Sequence, residues 1–270
     1  MNSTDKAKGI ALVTGASSGI GAIYADRLAR RGHDLVLVAR DIAKLTALAE
    51  RLRSTTGRRI ELLPADLTVK EDALRIEKRL QSDERIELLV NNAGVGATSS
   101  LIESDADRLE DMIQLNVTAL TRLTRAAVPG MVRRGKGAVI NIASVVALAP
   151  ELLNGTYGGS KAFVLAFSQS LRHELAEKGV RVQAVLPGAT ATDFWEISGK
   201  PVEQLPSTIV MSAADMVDAA LAGLAAGEFV TIPSLPEQAD WDAYENARQN
   251  LMPNLSHAAP AERYGVARTH

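Results

Sequence analysis

Tyr157 and Lys161 stand four residues apart, thirteen residues beyond Ser144, in a chain that also carries the run Thr14-Gly15-Ala16-Ser17-Ser18-Gly19-Ile20-Gly21. Side chains at i and i+4 leave a helix on one face, so a phenol and an ammonium can be held against one bound molecule. A free tyrosine titrates at about 10 and donates protons far more readily than it accepts them near neutrality. A fixed cation beside it favours the phenolate and lets one oxygen work in both directions. With a serine hydroxyl placed to hydrogen-bond a substrate oxygen, the three residues suit the interconversion of a carbonyl and an alcohol. A hydride donor is missing from that set, and the glycine run is where one would bind.

Positioning these residues requires a scaffold, and the hydrophobic pattern supplies one. Apolar runs of strand length at Ile10–Thr14, Asp34–Ala39, Arg59–Pro64, Ile86–Asn91, Gly137–Ile142, Val180–Leu186 and Phe229–Ile232 alternate with stretches of helical periodicity. The helices are expected near Gly19–Arg31, Ile42–Ser54, Lys70–Gln81, Asp105–Arg134, Tyr157–Lys178 and Ala213–Ala226, with Pro129 bending or ending the fourth. The alternation predicts an α/β fold: one doubly wound Rossmann-type domain with about seven parallel strands, helices on both faces, and its ligand site at the carboxyl ends of the strands. Ser212 with Asp215 three residues on, then Gly227, predicts a capped start and stop for the last core helix. A break near Ile232-Pro233-Ser234-Leu235-Pro236 divides a core over residues 8–233 from an extension over 234–270. In that extension Trp241, Tyr244, Arg248, Leu251 and Met252 fall close to one helical face, so the extension is expected to be ordered and to shape a subunit contact or the substrate entrance.

Bulk properties exclude several other functions. An apolar fraction of 46% with 4% aromatic residues fits a globular core, and a net charge of −2 gives nucleic acid or an anionic membrane little to attract. The polar start over Met1–Lys8 is expected to mean a cytoplasmic protein without a leader. With no cysteine there is neither a disulfide framework nor a thiolate metal site, and His33 and His173 have no ligand partner at suitable spacing, so no metal is expected. Acyl hydrolysis lacks a Gly-x-Ser-x-Gly turn.

Gly15, Gly19 and Gly21 fall between an expected strand and an expected helix, where a turn can admit a pyrophosphate against free amides. Alone, such a turn can be tight packing, and a lone Tyr-x-x-x-Lys can be an amphipathic helix face. Their joint order is what carries meaning. Together with Asn91-Asn92-Ala93-Gly94 they resemble the short-chain dehydrogenase/reductase family over roughly residues 8–233. The resemblance implies that Ser144 polarises the substrate carbonyl, Tyr157 is the acid or base, Lys161 lowers the tyrosine pKa and holds the nicotinamide ribose, and Asn116 keeps a water that links the lysine to solvent. It also implies cofactor contacts from Gly15, Ser17, Ser18, Gly19, Ile20 and Gly21, from Asp66 and Leu67 at the adenine, from Asn92, Ala93 and Gly94, and from Pro187, Gly188, Thr190 and Thr192 at the nicotinamide end.

At the end of the second expected strand, Ala39-Arg40 puts a cation where an acid would bind ribose hydroxyls, which favours NADP(H) over NAD(H); Asp41 is the competing residue. Val145, Val146, Leu152, Leu153, Ala189, Thr190, Phe194 and Trp195, with Gly96 opposite, are expected near an uncharged ketone, aldehyde or alcohol, under a mobile cover over Phe194–Met211. The alternatives are a 3-oxoacyl carrier-protein reductase, which calls for a basic docking surface, and a weakly active NADP-binding regulatory protein. The family's habit of pairing through its two long helices implies a homodimer or homotetramer.

Overall fold

A computed structural model describes residues 8–266. The strands and helices alternate from β1 (Lys8–Thr14), α1 (Gly19–Arg30), β2 (His33–Ala39), α2 (Ile42–Thr56), β3 (Ile60–Pro64), α3 (Lys70–Ser82) and β4 (Ile86–Asn91) to α4 (Ala106–Ile113) and α5 (Leu120–Arg134). They continue through β5 (Gly137–Ile142), α6 (Gly155–Leu175), β6 (Val180–Val185), β7 (Thr190–Ala191), α7 (Phe194–Ile197), β8 (Met211–Ser212), α8 (Ala213–Ala226), β9 (Val230–Thr231) and α9 (Gln238–Asn250). Seven strands form one parallel sheet in the order β3-β2-β1-β4-β5-β6-β9. The order reverses between β1 and β4, and such a switch point opens a crevice at the strands' carboxyl ends.

Both faces of the sheet are covered, which is why its central strands are mostly apolar, with the buried amides Asn91, Asn141 and Gln183 hydrogen-bonded among them. Successive residues of β1 part to opposite sides: Ala11 and Val13 pack with Tyr24 and Leu28 of α1, Leu45 and Leu52 of α2 and Met216 and Val217 of α8. Ile10 and Leu12 join Ile76 of α3, Leu123 and Met131 of α5 and Leu171 of α6. Each fully buried leucine in these layers contributes about 1.5–3 kcal/mol. Local signals agree with the packing. Asp41 caps α2 through Lys44 N at 2.9 Å, Ser212 caps α8 through Asp215 N at 3.0 Å, and Gly227 closes α8 with φ 84°.

Three expectations need correction. Pro129 does not end its helix: α5 runs through it to Arg134, because Ala126, Ala127 and Met131 on the same turns are buried against the sheet. The expected single helix over Asp105–Arg134 contains a π-helical stretch, Gln114–Ala119, between α4 and α5. The sixth helix begins earlier than expected, at Gly155, where the Asn154 side chain accepts from Thr156 N at 2.9 Å and Tyr157 N at 3.4 Å. No helix among the described residues is long and apolar enough to cross a membrane.

The chain divides into two compact units between Pro233 and Ser234. Within the second, α9 brings the Trp241 and Tyr244 rings to 5.4 Å and pairs Arg248 with Glu245, while Leu251 and Met252 lie beyond the helix and are exposed.

Candidate active site

The glycine turn leaves β1 locked to the strand beside it. Thr14 Oγ1 donates to Val90 O at 3.2 Å and accepts from Asn92 N and Ala93 N at 3.0 Å each. The Asn92 amide donates in return to Thr14 O at 3.0 Å and Gly15 O at 3.2 Å. Space here is set by backbone. A Cβ on Gly21 would stand 2.2 Å from Gly15 O, and one on Gly15, whose φ is 64°, would stand 2.9 Å from Ala93 Cα. Gly19, at φ 51°, faces Thr192, whose Cγ2 is 3.1 Å from where a Cβ would be. Ser18 precedes α1 without capping it, no acidic residue lies in the first turn, and Ser17 and Ser18 are half-buried. The N–H groups that begin α1 therefore form a site suited to an anion. Ile20 packs toward the core.

At the end of β2, Arg40 extends into solvent with its side chain 74% exposed and its Nη1 3.8 Å from Asp66 Oδ2. Burial opposes ionisation of Asp66, but hydrogen bonds from Thr68 Oγ1 at 2.7 Å and Thr68 N at 3.0 Å, together with the Arg40 charge, hold its carboxyl below the ordinary value. Asp41, the competing acid, is occupied by the α2 cap. Leu67 turns its side chain into the core at 5% exposure, so only its backbone is left to face a ligand.

Ser144, Tyr157, Lys161 and Asn116 are all buried and converge beyond β5. Ser144 Oγ donates to Pro187 O at 3.4 Å and accepts from Val146 N at 3.3 Å. Lys161 Nζ donates to Ile142 O at 3.0 Å and lies 5.7 Å from the Tyr157 ring centroid. Gly94 is the close neighbour of both polar partners: a Cβ there would stand 3.0 Å from Asn116 Oδ1 and 3.5 Å from Lys161 Nζ. The π-helical stretch carries Asn116 inward, where its Oδ1 accepts from Val95 N at 3.0 Å and its Nδ2 donates to Val95 O at 2.9 Å and Ser160 Oγ at 3.0 Å. Ser160 Oγ donates onward to Tyr157 O at 2.8 Å. Thr14 and Ser160 are the supporting hydroxyls that sequence reasoning passed over. Their signal was position, one at the head of the glycine run and one immediately before Lys161.

Burial dominates the protonation of the Tyr157 and Lys161 pair. Burial pushes the Tyr157 phenol up to about 12, with a hydrogen bond to Ser144 pulling the other way. Burial also brings Lys161 down to about 8, so desolvation weakens the cation that would stabilise a phenolate. Tyr157 thus holds its proton across the neutral range.

Beside the phenol the wall is apolar. Met112, Val146 and Tyr157 form a cluster against which Val95, Ala97, Leu109, Leu153 and Phe194 pack. The Phe194 ring centroid is 5.7 Å from that of Tyr157. Trp195 donates its indole N–H to Thr190 O at 3.0 Å with its ring 5.6 Å from that of Phe194, and Leu152 is exposed. Val145 N is bound by Pro187 O at 3.0 Å, and Ala189 O accepts from Met211 N at 2.9 Å. Thr190 Oγ1 donates to Gly188 O at 3.1 Å and Thr192 Oγ1 to Thr190 O at 3.5 Å, folding the loop on itself. The ends of the 192–210 segment are joined by the two-residue parallel pair β7–β8, which the sequence pattern did not indicate.

Comparisons with known proteins agree with this arrangement. The family profile described as short chain dehydrogenase matches residues 9–202. A short-chain dehydrogenase from Sphingobium yanoikuyae, solved in complex with NADPH, is 51% identical with a TM-score of 0.92, covering 95% of this chain and 99% of that one. That share exceeds what residues 8–233 alone would supply, so the extension has a counterpart there. The bulky-bulky ketone specific alcohol dehydrogenase from Comamonas testosteroni is 46% identical, TM-score 0.88, over 95% of this chain and 98% of that one. Human 17-beta-hydroxysteroid dehydrogenase type 3 is 38% identical over 186 residues, which is 67% of this chain but 59% of that protein, so this chain spans less than two thirds of that relative's length. The glycine turn, the buried Ser144, Tyr157, Lys161 and Asn116, the parallel sheet and these matches place the chain in the short-chain dehydrogenase family.

Proposed function

We propose that this protein is an NADP(H)-dependent oxidoreductase that interconverts an uncharged, mostly apolar ketone or aldehyde with its alcohol. The observation that carries the reading is the convergence of Ser144, Tyr157, Lys161 and Asn116 at one buried point facing an apolar wall, past the carboxyl ends of β4 and β5. The cofactor fits the residues present: three glycines leave a cradle that a Cβ would fill, α1 offers its first N–H groups, and Arg40 is a solvent-facing cation beside the uncharged Ala39. Gly15, Ser17, Ser18, Gly19, Ile20 and Gly21 would hold the pyrophosphate, Arg40 and Asp66 the adenosine end, Ala93 and Gly94 the middle, and Pro187, Gly188, Thr190 and Thr192 the nicotinamide end. When bound, that group supplies or accepts the hydride.

The protein's own part is proton handling and orientation. Ser144 Oγ donates a hydrogen bond to the substrate oxygen, and Tyr157 Oη gives that oxygen its proton in the reductive direction. Burial raises that phenol, so at neutral pH it carries the proton to be given. Lys161 holds positive charge near the phenol below about 8 and passes a proton toward it, and Asn116 Oδ1, with one lone pair on Val95 N, has another for a water beside Lys161. The side chains packed around the Tyr157 ring on this wall, Met112, Val146 and Phe194 among them, are apolar, which supports an apolar substrate. The name of the Comamonas relative, specific for bulky ketones, points the same way. A regulatory protein with little turnover would need no such proton relay.

The test is absorbance at the reduced-nicotinamide band with a panel of aryl and alicyclic ketones, NADPH and NADH. Turnover with NADPH preferred is expected; no turnover of any ketone or alcohol with either cofactor would overturn the reading. A cytoplasmic homodimer or homotetramer assembled through α4–α5 and α6 belongs to the same proposal, and light scattering of the purified protein gives the mass that decides the assembly.

A further inference from the structure

The Phe194 ring lies between two features that do not share its conformational constraints. On one side is the Tyr157 ring, tilted at 44° with centroids 5.7 Å apart. On the other is Gly96, where an added Cβ would stand 2.2 Å from Phe194 Cζ and 2.7 Å from Cε2. The phenylalanine tip therefore fills a recess that exists only because residue 96 has no side chain. The Phe194 ring also meets the Trp195 ring edge-on at 5.6 Å, but the backbone around it has anchors of its own. Trp195 is tied to Thr190 O, and Ser198 O accepts from Thr98 N at 3.2 Å and Thr98 Oγ1 at 2.6 Å. Phe194 can thus turn about its own side-chain bonds while its backbone stays put.

A second observation concerns Ser198. Its Oγ is buried without a hydrogen-bond partner and lies 3.2 Å from the same added Cβ. An unpaired buried hydroxyl is unfavourable, and the arrangement with the ring in the recess leaves it so. Displacement of the ring opens that hydroxyl to water or to a polar atom on a bound molecule.

We infer that Phe194 and Gly96 act as one size filter, in which the ring is the movable wall and the bare backbone its recess, together setting how large an apolar group the cleft takes beside the reacting carbonyl. The inference rests on the oxidoreductase reading above and names its specificity residues. The two residues must be coupled, because the recess has meaning only when the ring occupies it. The matching substrates are ketones with an aromatic or alicyclic group on each flank, since such a group replaces the Phe194 ring on the Tyr157 face.

The experiment compares acetophenone with benzophenone in the full chain with NADPH, for wild type, Phe194→Leu, Phe194→Ala, Gly96→Ala and the double variant Gly96→Ala with Phe194→Ala. Expected for Phe194→Ala is a rise of about 10-fold in the benzophenone to acetophenone ratio of kcat/KM, with Phe194→Leu between it and wild type. Gly96→Ala drives the ring out of its recess and lowers that ratio about 10-fold, and the double variant loses this effect because no ring remains to be driven. An unchanged ratio in both Phe194 variants, or an equal Gly96→Ala effect with and without the ring, overturns the filter. Calorimetric dissociation constants of the two ketones on NADPH-loaded protein make the same comparison without turnover. A protein that binds selectively but reduces nothing would sink the oxidoreductase reading and leave the filter standing.

Discussion

Around the glycine turn, each polar side chain that supports the backbone is tied to a neighbouring strand, whereas the segment between Phe194 and Met211 is held by a two-residue strand pair, a clamp at Thr98 and aromatic contacts. The first region has one geometry because Thr14, Asn92 and three glycines leave no other. The second is assembled from three-residue turns and side chains that can change rotamer. A site divided in this way can keep a demanding ligand such as a dinucleotide fixed while the other half changes with the substrate.

The largest expected effect separates chemistry from both halves. Tyr157→Phe should slow the chemical step by roughly 100- to 10,000-fold, since the transferred proton is gone while the ring still packs. Single-turnover rates, with NADPH binding titrated separately, measure it; an undiminished step would remove Tyr157 from its role. Next, Gly21→Ala tests the rigidity of the cofactor half. Its Cβ meets a backbone oxygen at 2.2 Å that cannot turn aside, so NADPH affinity should fall by at least about 10-fold, with about 1–3 kcal/mol of stability lost. Retained affinity in a titration would show that the turn is softer than its hydrogen bonds suggest.

A smaller change is expected from Arg40→Ala. The guanidinium is exposed, which screens it, so the preference for NADPH over NADH should drop by about 10-fold rather than vanish. Competing steady-state measurements decide this, and an unaltered ratio would move the phosphate elsewhere. The smallest effect falls on stability. At pH 7 Lys161 is charged in a buried site, so Lys161→Met should raise unfolding free energy by about 1 kcal/mol while abolishing turnover. The wild-type lysine is neutral in the folded chain above about 8 but stays charged when unfolded up to about 10.5, so the unfolded state binds more protons in that window and wild-type stability rises through it. The advantage of the methionine variant should therefore shrink between those pH values in chemical denaturation; a constant or growing gap would contradict the burial of that charge.

Much of the scaffold is legible in the residues themselves. Strand-length apolar runs locate the seven main strands, because a sheet covered on both faces favours apolar residues on both, and Ser212 and Gly227 mark α8 by cap chemistry alone. Tyr157 and Lys161 are legible by spacing, and their helix extends past both. The protonation of the pair is not, since burial depends on what the rest of the chain stacks around it. Nor is the packing of Phe194 on Gly96, which joins loops 98 positions apart through contacts that leave no periodic trace. Pro129 misleads for the opposite reason: its local preference is plain, and the buried face of α5 overrides it.

The π-helical stretch over Gln114–Ala119 holds one more residue than an α-helix of the same length would. In the arithmetic of insertion and deletion, that makes the helix pair tolerant of losing a residue there as far as hydrogen bonding goes, since the shortened chain would close into regular turns. The loss would regularise the one turn that carries Asn116 inward and leave the turns on either side in register with each other. Asn116 would then lose its hold on Val95 and Ser160, and a more regular helix would come with a dismantled site.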